Sequence, residues 1–226
     1  MNARPRSDEK GAPLTVALLQ KEAARFAQTE SLHAEPALFG ATDGKAVGTY
    51  FEHKFQAYLG VRYEYRKGSS ATGIDFPDLE VDVKVTSIRQ PQSSCPFKSA
   101  QQKIFGLGYS LLVFVYDKSD DASTRTGTLS VVHTVYIDKS RTGDYQTTTG
   151  LRRILENDGN EDDLVAFLEE RHLPIDDIQA RHMARKLLKA PPEIGYLTIS
   201  SALQWRLQYG RVIEKAGSVR GIVRVR

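Results

Sequence analysis

The 226-residue chain contains one cysteine, Cys95. A lone thiol excludes an intrachain disulfide and any thiolate-rich zinc site, and it suits a reducing cytoplasm. Cys95 lacks a His/Asp setting in the sequence and reads as inert. No apolar run approaches the length of a bilayer span, and residues 1–10 (MNARPRSDEK) lack the apolar core of a secretory signal, so no membrane association is expected. There is no Walker A motif, dinucleotide fingerprint or nucleophile elbow, which argues against ATP-driven chemistry and against a nucleotide cofactor. The histidines (His33, His53, His133, His172, His182) are scattered, with neither HNH nor zinc spacing. No internal repeat or low-complexity tract stands out.

What is present is the composition of a soluble globular protein, 40% hydrophobic and 26% charged. The length allows one large domain, or a catalytic domain with a smaller appendage. Net charge is only +3, but it is unevenly spread. Between Glu156 and Asp177 nine acidic residues face one basic residue, Arg171. From Arg181 to Arg226 ten Lys or Arg accompany two acids, Glu193 and Glu214. Such a basic end serves either as a phosphate-contacting surface or as a charged face folded back on the acidic segment.

Apolar periodicity predicts an α/β protein in which helices frame a central sheet. Residues 1–13 read as a flexible arm. Helices are expected from Leu14 to about Glu30 and from about Lys45 to Leu59, with Gly60 as a stop. Val61–Arg66 is rich in β-formers, and Ile74–Val85 reads as two short strands around a tight turn. A helix is expected over Phe97–Gly106. Tyr109–Tyr116 (YSLLVFVY) has the continuous apolar character of a strand buried on both faces, and Leu129–Ile137 follows as another strand. After Gly143 helical patterns dominate: Thr149–Glu156, Asp162–His172, Ile175–Lys189 and Ser200–Tyr209. Two strand-like pieces, Arg211–Lys215 and Gly221–Val225, come last. Three helices followed by a β-hairpin is the order of a winged helix-turn-helix. The expected division is therefore 14–145 for a catalytic domain and 146–226 for a mostly helical DNA-binding or dimerisation region.

The segment from Gly73 to Lys84 (GIDFPDLEVDVK) carries the sharpest chemical signal. Strand side chains alternate faces, so Asp82 and Lys84 point one way while Val81, Val83 and Val85 point into the core. A turn at Asp78–Leu79 sets Asp75 opposite Asp82, bringing two carboxylates and an ammonium together. Like charges opposed across strands are unfavourable alone and imply a compensating cation. Two carboxylates and a backbone carbonyl, that of Val83, suit a hard oxygen-seeking ion such as Mg²⁺. Lys84 would hold or help deprotonate an attacking water. Pro77-Asp78 is a decoy, since Asp78 falls in the turn and points away.

This segment resembles the PD-(D/E)xK nuclease motif, as Asp75 followed by Asp82-Val83-Lys84. The short gap and the phrase Gly-x-Asp-Phe-Pro-x-Leu-x-Val resemble the arm of that superfamily that contains the mismatch-repair nickase MutH and related type II restriction endonucleases. In that arm a glutamate on a preceding helix joins the site. Glu52 lies on the Lys45–Leu59 helix, and the resemblance implies an acidic or lysine-polarising role for it. The resemblance covers residues 45–116 and implies a restriction-endonuclease-like core, duplex DNA as substrate, Mg²⁺ as cofactor and a homodimer. A nicking repair nuclease is the rival reading, and a winged-helix regulator without cleavage is a rival of another class.

Weaker signals surround this set. Gln101 and Gln102 fall where some related nucleases place a glutamine near the lysine, although solvent-facing helix positions explain them as well. Ser69, Ser70 and Thr72 precede the first acid, where a loop could touch phosphate. In the basic end, Gln204, Arg206 and Gln208 on the expected helix Ser200–Tyr209 are residue types that read purine edges in the major groove. Arg211 and Arg220 on the expected hairpin would contact backbone phosphate or the minor groove.

Overall fold

The computed structural model describes residues 11–68, 73–96, 98–201 and 205–226. The chain opens with strand β1 (Ala12–Pro13), helix α1 (Val16–Glu30), β2 (Ala34–Glu35), α2 (Gly44–Gly60), β3 (Tyr63–Glu64) and β4 (Val81–Ser87). It continues with β5 (Gln92–Cys95), α3 (Gln101–Phe105), β6 (Ser110–Asp121) and β7 (Thr126–Ile137). Then come α4 (Tyr145–Glu156), α5 (Glu161–Glu170), α6 (Asp177–Lys189), β8 (Thr198–Ser201), β9 (Trp205–Gln208), α7 (Gly210–Lys215) and β10 (Ile222–Arg224). The result is a mixed α/β protein with a central mixed sheet and flanking helices.

Two compact units share these elements. The first holds residues up to Gln90, Leu112–Tyr136 and Arg224–Arg226; the second holds Pro91–Leu111 and Ile137–Val223. Residues 91–111 thus group with the later part of the chain instead of staying with their neighbours in sequence. The cause is strand pairing, because β5 takes its partner from β9.

In the first unit the strands run in the order β7-β6-β4, with β2 pairing antiparallel to β7. Backbone bonds from Val225 and Arg226 to Thr134 add the last residues at the β7 edge. Thr15 caps α1 and Asp43 caps α2, each side chain accepting a first-turn backbone N–H. Along α2, Val47, Phe51, Phe55 and Leu59 recur every four residues and are buried. Phe51 and Phe55 meet Phe114 of β6 at ring-centroid distances of 4.9 and 5.2 Å, and Phe26 of α1 closes the cluster. Residues 110–116 of β6 are buried on both faces, as their apolar run predicts. This packing holds α2 against β4, the two elements that carry the expected catalytic groups.

In the second unit α4, α5 and α6 pack around Leu151, Leu164, Leu168, Met183 and Leu187. The basic and acidic stretches do fold back on one another here: Arg181 pairs with Asp162 at 3.2 Å, and Arg185 with Glu161 at 3.0 Å.

Three expectations are corrected. The flexible arm does not extend through Pro13, since β1 pairs in parallel with β3. The helix expected over Ser200–Tyr209 is replaced by β8 and β9, which pair with each other. Trp205, Leu207 and Tyr209 are buried while Arg206 and Gln208 are exposed, so the alternation had period two. Arg211–Lys215, expected as a strand, lies within helix α7, where burial of Val212 outweighs β propensity. With a strand in place of the third helix and a helix in place of the first wing strand, the winged-helix order is not formed.

Candidate active site

The site starts from a tight hairpin. Phe76 and Val81 form an antiparallel bridge, closed by backbone hydrogen bonds of 3.0 and 3.2 Å. Between them Pro77–Leu79 makes a single 3-10 turn, and Glu80 takes the left-handed conformation (φ 52°) that reverses the chain. One step further from the turn this register brings Asp75 opposite Asp82, as the sequence predicted. Asp78 lies in the turn, pairs with Arg66 at 2.8 Å and is exposed.

The backbone before Asp75 is held by close approach. Gly68 N–H donates to the Asp75 carbonyl at 2.8 Å. A Cβ at Gly68 would stand 1.8 Å from the Ile74 carbonyl oxygen, so only glycine allows this contact. On the side chain, Asp75 Oδ2 accepts the Val83 N–H at 2.8 Å, and Gln56 Nε2 reaches Oδ1 at 3.4 Å. Gln56 escaped notice in the sequence, yet it sits one helical turn beyond Glu52, and that spacing was the signal available.

Along β4 the alternation is as expected: Val81 and Val83 are buried in the core and Val85 packs against it. Asp82 is only 5% exposed, and Lys84 Nζ lies 2.7 Å from its Oδ2. Burial, with the hydrogen bond and charge of Asp75, pushes the Asp82 carboxyl up to about 7 against the opposing pull of Lys84. Glu52 on α2 faces the same charges; burial first, then the Asp75 and Asp82 carboxylates, raise it to about 7, again with Lys84 opposing. Burial alone would lower Lys84, but Asp82, Asp75 and Glu52 outweigh it and hold the ammonium above its ordinary value. Beside these carboxylates the Lys84 side chain is held in its charged, hydrogen-bond-donating form. Glu52, Asp75, Asp82 and Lys84 thus form one electrostatically coupled group. His53, next to Glu52, is exposed.

The donors suited to a metal here are the Asp75 and Asp82 carboxylates, with the Val83 backbone beside them. Among the described residues no set of three or more His, Cys, Asp or Glu side chains is arranged to hold a metal ion. A hard ion would complete its shell with water and substrate oxygen.

The expected DNA-contacting residues are dispersed. Arg206 and Gln208 stand side by side on the exposed face of β9. The guanidinium of Arg211 lies over the Tyr145 ring at 3.8 Å. Arg220 is exposed before β10, and its carbonyl accepts Arg141 Nε. Gln204, like Ser69, Ser70 and Thr72, lies outside the described residues. Gln102 does not face solvent. It is buried, accepts Trp205 Nε1 at 3.1 Å and the backbone N–H of Lys98 and Ser99, and donates to the Leu107 carbonyl.

Among the described residues no helix is long and apolar enough to cross a membrane. No solved structure matches the chain. Residues 13–224 match the family described as Type II restriction enzyme NspV. A curated protein of that description from Nostoc sp. is 63% identical over 212 residues, covering 94% of this chain and 96% of the relative. With the match running through both units and the coupled acid–lysine group within it, the chain belongs to the NspV family of type II restriction enzymes.

Proposed function

We propose that this type II restriction endonuclease cuts duplex DNA with Mg²⁺ held by Asp75, Asp82 and the Val83 carbonyl, in the manner of a PD-(D/E)xK nuclease with a MutH-like compact motif. The observation that carries the reading is the hairpin register. It opposes two carboxylates at a buried position beside an ammonium 2.7 Å from one of them. Such a donor set fits a hard divalent ion, because a carboxylate pushed up to about 7 by burial, with a second carboxylate beside it, gains most from a cation. When bound, that ion supplies Lewis-acid polarisation of the scissile phosphate.

The chain's own residues do the rest. Lys84, kept charged by three surrounding carboxylates, orients the attacking water and offsets the negative charge that develops on the phosphoryl oxygens. Water attacks phosphorus in line; a P–O bond forms as the bond to the departing oxygen breaks, with no covalent enzyme intermediate. Glu52 polarises Lys84 and takes up the proton lost by the attacking water, while the departing oxygen takes a proton from solvent water. Gln56 and Gly68 fix the two ends of Asp75, one at the carboxylate and one at the backbone carbonyl. Two strands need two active sites, so a homodimer acting on a palindromic sequence follows.

Supercoiled plasmid incubated in Mg²⁺ with parent, Asp82→Ala and Lys84→Ala proteins tests this. Discrete linear fragments from the parent and intact plasmid with both variants are expected. Nicked circles alone would overturn double-strand scission, and parental cutting by either variant would overturn the site.

A further inference from the structure

Strands β5, β9 and β8 form a three-stranded antiparallel sheet with β9 in the centre. Its register stacks Gln92, Gln208 and Thr198 in one row, and Ser94, Arg206 and Ser200 in the next but one. Residues opposite each other across antiparallel strands share a face, and alternate residues return to it. These six side chains therefore line one face. The opposite face carries Cys95, Ile199, Trp205 and Leu207, all buried. Trp205 is anchored further by its bond to buried Gln102.

The composition of the outward face is unusual for this chain. An antiparallel sheet facing water is polar by default. In a protein with 26% charged residues, such a face would ordinarily mix carboxylates and lysines. Here are two amides, three hydroxyls and one guanidinium, with no carboxylate to repel phosphate. Among the described residues Arg206 and Gln208 have no side-chain partner. Guanidinium and amide are the two groups whose paired donors and acceptors match guanine and adenine edges, and Ser and Thr hydroxyls adapt to either. A rigid, buried back holds them in fixed geometry, as sequence discrimination requires.

We infer that this face is the base-reading surface of the enzyme. Arg206 contacts guanine and Gln208 contacts adenine in the major groove, flanked by Ser94, Ser200, Gln92 and Thr198. The inference rests on the DNA-cleaving reading above and names the residues that choose where cleavage happens. It replaces the helix expected at this position with a β-sheet reader, a known mode of groove recognition.

The test is a duplex library with a randomised central segment, cut in Mg²⁺ by parent, Arg206→Ala, Gln208→Ala and, as a control, Arg153→Ala on the exposed side of α4. Sequencing the cut ends gives the preference at every base pair. Discrimination is expected to fall about 10- to 100-fold at one base pair for each sheet variant, at a guanine for Arg206 and an adenine for Gln208. The control should keep the parental pattern. Should Arg206→Ala not fold by circular dichroism, Arg206→Gln takes its place, with preference moving from guanine toward adenine at the same base pair. Parental preference at all positions would overturn the inference. So would a uniform slowing on every sequence, which marks a phosphate contact, or a changed sedimentation coefficient with unchanged preference, which marks a subunit contact. A parent that cuts nothing overturns the cleavage reading instead. The same library sorted by binding then decides the sheet on its own, by whether the two variants lose the parent's base preference.

Discussion

The hairpin of the first unit and the three-stranded sheet of the second use opposite strategies on the same kind of backbone. The hairpin crowds carboxylates and an ammonium at a position where Asp82 is nearly out of solvent. The sheet lays neutral hydrogen-bonding groups and one guanidinium on an open face. In the hairpin each group depends on the others, since removing one charge changes the balance for the rest. On the sheet Arg206 and Gln208 have no side-chain partner among the described residues, so losses at these two should be local and roughly additive. Chemistry needs coupled charges; discrimination needs independent ones.

The contrast breaks most sharply at Asp75. Asp75→Asn should lower the plasmid cleavage rate about 10³-fold or more, the scale for losing one essential member of a catalytic unit. The amide can still accept the Val83 N–H, and one of two opposed carboxylates is gone. Thermal unfolding in EDTA should therefore show a midpoint no lower than the parent's, while the upward shift on adding Mg²⁺ disappears. A lowered midpoint in EDTA would mean that the pair is not repulsive.

Next in size is Gly68→Ala. The added methyl collides with the Ile74 carbonyl and moves Asp75, so cleavage should fall about 10²-fold. A parental rate would remove Gly68 from the positioning of the site.

On the sheet side, Gln102→Ala leaves the Trp205 indole N–H and two backbone N–H groups short of an acceptor. Urea unfolding should show a loss of about 1–3 kcal/mol. Surviving enzyme should also discriminate less among sequences, because the back of the sheet has loosened.

The smallest effect lies away from both sites, at Glu22. Burial would raise its carboxyl, but the hydroxyls of Tyr58 and Tyr63 and the Arg25 guanidinium together hold it below its ordinary 4.5. The folded-state value is depressed, so its contribution is complete above 4.5 and is lost as pH falls through the folded value. Glu22→Gln should be about 0.5–1 kcal/mol less stable than the parent at neutral pH, with the gap closing as pH falls below 4.5 in a series of thermal melts.

Much of the hairpin was legible because its logic is local. The strand alternation of Val81–Val85 and a turn between two acids are enough to predict which acid faces which. The α2 stripe was equally plain at helical spacing. Gln56 and Gly68 were less visible, since their roles depend on where α2 and the 63–68 segment meet Asp75. The largest misreading was Ser200–Tyr209. Trp205, Leu207 and Tyr209 alternate strictly with polar residues, but nearby helices and the leucine content favoured a helix. One of the two partners of β9, Gln92–Cys95, lies more than a hundred residues earlier and shows no strand signal of its own. The local β8–β9 pairing is joined by a non-local one, and no window along the chain contains all three strands.

Trp205 also has a consequence for how site preference can change. Its indole, sunk in the interior and tied to Gln102, sets the phase of β9, so that every second residue looks outward. Deleting Arg206 would invert that phase beyond Trp205, turning Leu207 outward and the Gln208 amide inward. Substitution can retune such a surface one letter at a time, whereas insertion or deletion erases it.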